Sequence, residues 1–163
     1  MNFTPDEVRA ARALVAAFMP PTPQYAWPLL QQRLGFPVWV KHENHTPAGA
    51  FKVRGGLTYF DALARQQPQV RGVISATRGN HGQSVAWGAR LHGVHCTIVV
   101  PHGNSPEKNA AMRAFGATVV LTRHPGSHGL GDPGPDRLDD VRAHRAVRCG
   151  GSSCSAAGWS ASS

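Results

Sequence analysis

The chain has 163 residues, with 17 lysines and arginines against 9 acidic residues, a net charge of +8, and 41% apolar residues. That length suits one ordinary domain or part of a larger one, and no apolar run approaches the roughly 20 residues a membrane-spanning helix needs. The basic residues stand singly from Arg9 to Arg148, so the charge surplus reads as scarcity of acids rather than as a specific nucleic-acid or membrane footprint.

The first element is a helix announced by Thr4, Pro5 and Glu7: a capping hydroxyl, a proline at the first helical position and a glutamate placed to close a capping box. Val8, Ala11, Leu14, Val15 and Phe18 then recur at helical spacing until Pro20 and Pro21 stop it. A proline-spaced connector passes Trp27 to a short helix from Leu29 to Leu34, ended by Gly35. Val38 to Val40 reads as a strand that delivers the chain through Glu43 to a turn, "HTPAGA", and Lys52 follows at the mouth of a helix-friendly run. The segment from Gly56 to Gln67 places Leu57, Phe60, Leu63 and Ala64 on one face, and Pro68 stops it.

Next come short apolar runs alternating with helices. Val73–Ala76, Cys96–Val100 and Thr118–Leu121 are predicted strands; Gly82–Leu91 and Pro106–Phe115 are predicted helices. Apolar runs without polar alternation imply burial on both faces, and crossover helices imply parallel pairing. The expected fold is α/β: an open parallel sheet with flanking helices, its sheet lying within about residues 50–122 of an organised portion spanning 1–122.

Beyond Leu121 the chain turns rich in glycine, serine, arginine and histidine, with a weak helical hint from Asp136 to Val147. Residues 123–163 hold too few apolar groups to offset an ordering entropy of about 1–2 kcal/mol per residue, so a largely disordered tail is expected. An altered reading frame would also produce so abrupt a change. Three cysteines, Cys96, Cys149 and Cys154, are too few and too uneven for a disulfide framework, and no charged leader with an apolar stretch opens the sequence, so a cytoplasmic setting is expected. His42 and His45 lack further ligands at suitable spacing, and no metal site is expected.

The chemistry concentrates in "ISATRGNHGQSVAWGARL". In open parallel sheets ligands bind where strands end and helices begin, because the exposed amides and the helix dipole favour anions. The loop Arg78, Gly79, Asn80, His81, Gly82 and Gln83 has that form, yet matches neither the GxGxxG dinucleotide fingerprint nor the phosphate loop ending in Gly-Lys-Ser/Thr. Alone it could equally be a plain strand-to-helix turn.

Together, "KHENHTPAGAFKVRGG", "SATRGNHGQSVA" and "VVPHGNSPEKNAAMRAFGATVVL" resemble the amino-terminal half of the pyridoxal-phosphate enzymes of the tryptophan-synthase-β type, and within them the threonine/serine dehydratases. The resemblance covers Thr4 to Leu121. It implies that Lys52, in "GAFKVRG", is the Schiff-base lysine, with the cofactor ring beside Phe51. It implies further that Asn80 hydrogen-bonds the ring hydroxyl, and that the loop Arg78 to Gln83 cradles the carboxylate of a small amino-acid substrate. A lysine amine is a nucleophile only when unprotonated, and both desolvation beside Phe51 and the positive end of a helix favour that form.

The implied reaction is β-elimination: Lys52, displaced by the substrate amine, takes the α-proton and the β-hydroxyl leaves. Hydrolysis then gives a 2-keto acid and ammonia, which for threonine means 2-oxobutanoate. Two departures bear on this. Ala50 stands where the family usually has serine. Arg78 stands where some racemases carry a serine proton donor, which disfavours racemisation; Arg78 either meets a second acidic group on a substrate such as a hydroxyaspartate or takes a surface role.

The family's glycine-rich phosphate loop and the polar residue on its pyridine nitrogen belong to a carboxyl-terminal half without counterpart here, since Gly150 and Gly151 have no strand before them and no helix after. Impaired activity is expected, as is an uncovered apolar face at Leu14 and Phe18 that would drive self-association or aggregation. Two other readings stay open from the residues: a catalytically inert fragment, and a small basic nucleic-acid-binding protein.

Overall fold

A computed structural model of the chain describes residues 3–122 and the backbone of residues 146–148. The chain divides into two compact units, Met1–Phe51 and Lys52–Ser163.

In the first unit, helix α1 spans Pro5–Ala16. Its start follows from sequence: the Thr4 hydroxyl accepts from the Glu7 amide at 3.2 Å, and the Glu7 carboxylate accepts from the Thr4 amide at 2.7 Å, so two otherwise orphaned donors are satisfied reciprocally. It ends before Pro20, in hydrogen-bonded turns from Ala17, Phe18 and Met19 back to Leu14 and Val15. Strand β1, Gln24–Ala26, and strand β2, Trp39–Lys41, form an antiparallel pair with Tyr25 opposite Val40 and Ala26 opposite Trp39. Helix α2, Pro28–Leu34, lies between them and is closed by Gly35 at φ 77°. A 3₁₀ turn, Glu43–His45, follows β2. Its register is held by Glu43, whose carboxylate accepts from the Thr22 hydroxyl at 2.7 Å, while Lys41 donates to the Thr22 carbonyl at 3.2 Å.

The unit buries Val15, Met19, Thr22, Thr46 and Ala48, yet Leu29 is 81% exposed, Trp39 65% and Phe36 57%. Apolar burial at about 25 cal/mol per Å² is therefore mostly unrealised at these positions.

The second unit contains helix α3 (Lys52–Gln66), strand β3 (Gly72–Ala76), helix α4 (Asn80–Leu91), strand β4 (His95–Pro101), helix α5 (Pro106–Ala114), strand β5 (Thr118–Thr122) and strand β6 (Ala146–Arg148). The strands form one parallel sheet in the order β5-β4-β3-β6. Central β4 buries Cys96, Thr97, Ile98 and Val100 in succession, the two-sided burial its unbroken apolar run implies. Phe60, Ile98, Met112, Val73 and Val85 share one core cluster, each such side chain contributing about 1.5–3 kcal/mol. Burial pushes the Cys96 thiol up to about 12, so it packs as a small apolar group rather than as a nucleophile.

Two helices begin earlier than glycine content suggests. α3 starts at Lys52 rather than Gly56, and α4 at Asn80 rather than Gly82, because buried neighbours such as Val53 and Leu57 outweigh glycine's poor helix propensity. The helical hint over Asp136–Val147 is corrected at its end: Ala146 and Val147 are strand, paired with Gly72 and Val73. Ladder hydrogen bonds along an otherwise open edge of β3 outweigh a weak periodicity. The expected disorder of the remainder of 123–163 lies outside the described residues. No helix among the described residues is long and apolar enough to cross a membrane.

The contact between α3 and α4 fixes the site. On α3, Lys52, Gly56 and Phe60 are four apart; on α4, Asn80, Ser84 and Gly88 are four apart; each set lines one face of its helix. A Cβ on Gly56 would collide with the Ser84 hydroxyl and come within 2.8 Å of its carbonyl, and one on Gly88 would come within 2.5 Å of the Phe60 ring. Gly56 thus faces Ser84 and Phe60 faces Gly88.

Candidate active site

The turn before Lys52 is tied by one side chain. The Thr46 hydroxyl accepts from the Ala50 amide and donates to the Ala50 carbonyl, both at 2.9 Å, and the Gly49 amide reaches the Thr46 carbonyl at 2.9 Å. Gly49, at φ 63°, takes the left-handed conformation that the reversal requires. The chain then enters α3 with Lys52 as its first residue, half-buried, its carbonyl accepting from the Ser84 hydroxyl at 2.7 Å. Phe51 is 61% exposed.

The loop after β3 first prolongs the sheet, Thr77 donating to the Val99 carbonyl at 3.0 Å, and then enters α4 as the Gln83 amide reaches Gly79 at 3.2 Å. Gly79 stands at the N-cap and offers no side chain to cap this end. The first-turn amides therefore keep the anion-attracting character of an open helix start.

The structure divides the six loop residues. Arg78 and Asn80 are exposed; Gly79, Gly82 and Gln83 are buried. Gly82 is fixed by packing: a Cβ there would collide with the Met112 sulfur and come within 2.8 Å of Thr77 Cγ2. Gly79 lies under the Lys108 side chain, whose Nζ would stand 3.2 Å from an added Cβ. Lys108 and Ser84 border the loop without having been singled out from sequence; for Ser84 the signal was its spacing of four from Asn80.

His81 is half-buried, and its Nε2 is buried without a hydrogen-bond partner among the described residues. Burial first, and the positive charge of Lys52 second, hold its pKa below the usual histidine value. The unfolded chain therefore binds a proton that folded His81 resists, so this residue costs stability as pH falls through the ordinary histidine range. Replacing His81 by asparagine is expected to flatten the loss of melting temperature between about pH 7 and pH 5; an unchanged slope would refute the assignment.

These groups suit pyridoxal phosphate and an amino acid: one primary amine at a helix start, an open set of amides on the neighbouring helix, an exposed amide side chain at that helix's first residue, and an imidazole nitrogen with no hydrogen-bond partner among the described residues. His42 Nε2 accepts from the Trp27 indole at 3.3 Å.

The site thus joins a lysine at one helix start to a neighbouring helix that begins directly after a strand, within a parallel α/β sheet. The family described as pyridoxal-phosphate dependent enzyme matches residues 15–153, and the chain belongs to it; the match continues past Leu121. Over 91 residues the chain is 44% identical to the L-threonine ammonia-lyase of Geobacter sulfurreducens, covering 56% of this chain and 22% of that protein. Over 118 residues it is 39% identical to an L-threo-3-hydroxyaspartate ammonia-lyase of a Pseudomonas species, covering 71% of this chain and 36% of that protein. A crystal structure of a pyridoxal 5'-phosphate-dependent aspartate racemase shares the fold at a TM-score of 0.76 and 27% identity, covering 91% of this chain and 46% of that one. The chain thus spans 22% to 46% of the length of these proteins.

Proposed function

We propose that the chain carries the lysine-bearing part of a pyridoxal-phosphate-dependent lyase that removes water and ammonia from a hydroxy amino acid such as L-threonine or L-serine, leaving a 2-keto acid. One observation carries this reading: Lys52 opens α3 with its carbonyl accepting from Ser84 of α4, the helix that begins at Asn80. The ammonia-lyase relatives support the same reaction class.

When bound, pyridoxal phosphate supplies an aldehyde for amines and a ring that accommodates the electron pair left when a Cα–H bond breaks. Lys52 would hold the cofactor through its Nζ, and the same nitrogen, when free, would receive the α-proton of the substrate. The first-turn amides of α4 orient the substrate carboxylate, and their fixed dipoles need no reorganisation to do so. Asn80 would orient the ring oxygen of the cofactor, and Phe51 would offer an apolar face to its ring. Two hydrogens and one oxygen leave the substrate as water, and a later water returns the oxygen as ammonia departs.

The test is formation of 2-oxobutanoate from L-threonine and pyruvate from L-serine, trapped as hydrazones after long incubation with pyridoxal phosphate. Turnover by this chain alone is expected to be slow. Keto acid above the level of the Lys52→Ala variant supports the reading; equal yields from both proteins would refute it.

A further inference from the structure

We propose that Ser84 is a positioning residue for Lys52, fixing the backbone of the amine-bearing residue against the helix that presents Asn80. The inference rests on the role of Lys52 proposed above.

Neither partner in the Ser84–Lys52 hydrogen bond requires the other. A serine inside a helix has a local acceptor in the carbonyl four residues back, here that of Asn80. A carbonyl at the first position of a helix has a donor four residues on, here Gly56. The Ser84 hydroxyl nevertheless crosses to the Lys52 carbonyl at 2.7 Å. Ser84 is 2% exposed, so no water competes for the bond. Gly56 makes the crossing possible, because a side chain there would occupy the space of the Ser84 hydroxyl.

The bond therefore acts on geometry. Ser84 lies one turn along α4 from Asn80, on the same face, so fastening it to Lys52 sets the height of the amine's backbone relative to Asn80. Without that link α3 can slide or tilt by tenths of an ångström against α4. The Lys52 side chain then meets a cofactor oriented by Asn80 from a displaced origin, and small misplacements of reacting groups are costly.

The experiment titrates pyridoxal phosphate into the 163-residue wild-type chain, Ser84→Ala, Ser84→Cys and Lys52→Ala. It reads visible absorbance, the pH midpoint of that absorbance, and the melting temperature of the protein without cofactor. For Ser84→Ala the dissociation constant is expected to rise roughly three- to tenfold, with a displaced pH midpoint and a cofactor-free melting temperature within a few degrees of wild type. Ser84→Cys, similar in size and a weaker donor, is expected to fall between. Wild-type affinity and midpoint in Ser84→Ala would overturn the role of Ser84 while leaving that of Lys52 intact. Absence of Lys52-dependent absorbance in the wild type would overturn both. Should Ser84→Ala not fold, Ser84→Cys decides alone: values equal to wild type overturn the proposal, and weaker binding with a displaced midpoint supports it.

Discussion

Replacing Lys52 by alanine is expected to abolish the visible absorbance that pyridoxal phosphate develops on the wild-type chain, and borohydride treatment of the wild type is expected to fix the cofactor on the peptide containing Lys52 alone. The chain suits this test because it has three lysines, Lys41, Lys52 and Lys108. Lys41 donates to the Thr22 carbonyl and lies 4.0 Å from the Glu43 carboxylate, so its amine is already engaged. Lys108 is exposed on α5 with its stem over Gly79. Only Lys52 combines a helix start, partial burial and a backbone fastened to the neighbouring helix. A reduced adduct mapped to Lys41 or Lys108, or none at all, would end the enzymatic interpretation. Salt-sensitive retention on DNA in place of cofactor binding would then favour the nucleic-acid alternative left open by the charge of +8.

The second large effect is expected at adjacent glycines, with opposite signs. Alanine at Gly55 meets nothing within 4 Å and gains helix propensity of up to about 1 kcal/mol, so Gly55→Ala should stabilise the chain. Alanine at Gly56 gains the same propensity but meets the Ser84 hydroxyl and its carbonyl at 2.8 Å. A backbone atom cannot rotate away, and overpacking of a close helix contact costs typically about 1–3 kcal/mol, occasionally more. The net expectation for Gly56→Ala is a loss of about 1–2 kcal/mol, read as a lower urea midpoint. Two variants shifting the midpoint in the same direction would mean that α3 and α4 do not meet as closely as described.

Much of this architecture could be read from residues. The capping box at Thr4 and Glu7, the apolar strands and the helices between them encode local structure directly, and the structure has each of them, although the two-sided burial expected of all three strands holds for β3 and β4 and not for β5, where no residue is fully buried. Three short elements escaped. Strand β1 has three residues, all exposed, so no alternation of burial marks it. The 3₁₀ turn at Glu43–His45 depends on Thr22, far away in sequence. Strand β6 depends on an open edge of β3. Each is stabilised by a distant partner, which a local pattern cannot report. The same reason hid Ser84: its spacing from Asn80 is visible in sequence, whereas its bond to Lys52 exists only once two helices meet at a glycine.

The pairing of β3 with β6 bears on how the protein is made. Gly72 leaves the ribosome long before Ala146, its partner in the ladder, and translation at about 5–20 residues per second puts several seconds between them. For that interval a strand buried on both faces in the finished fold has one flank of bare amides and carbonyls, open to any other extended peptide. Slow codons or scarce chaperones upstream of residue 146 should therefore lower the yield of soluble product more than equal delays after residue 148.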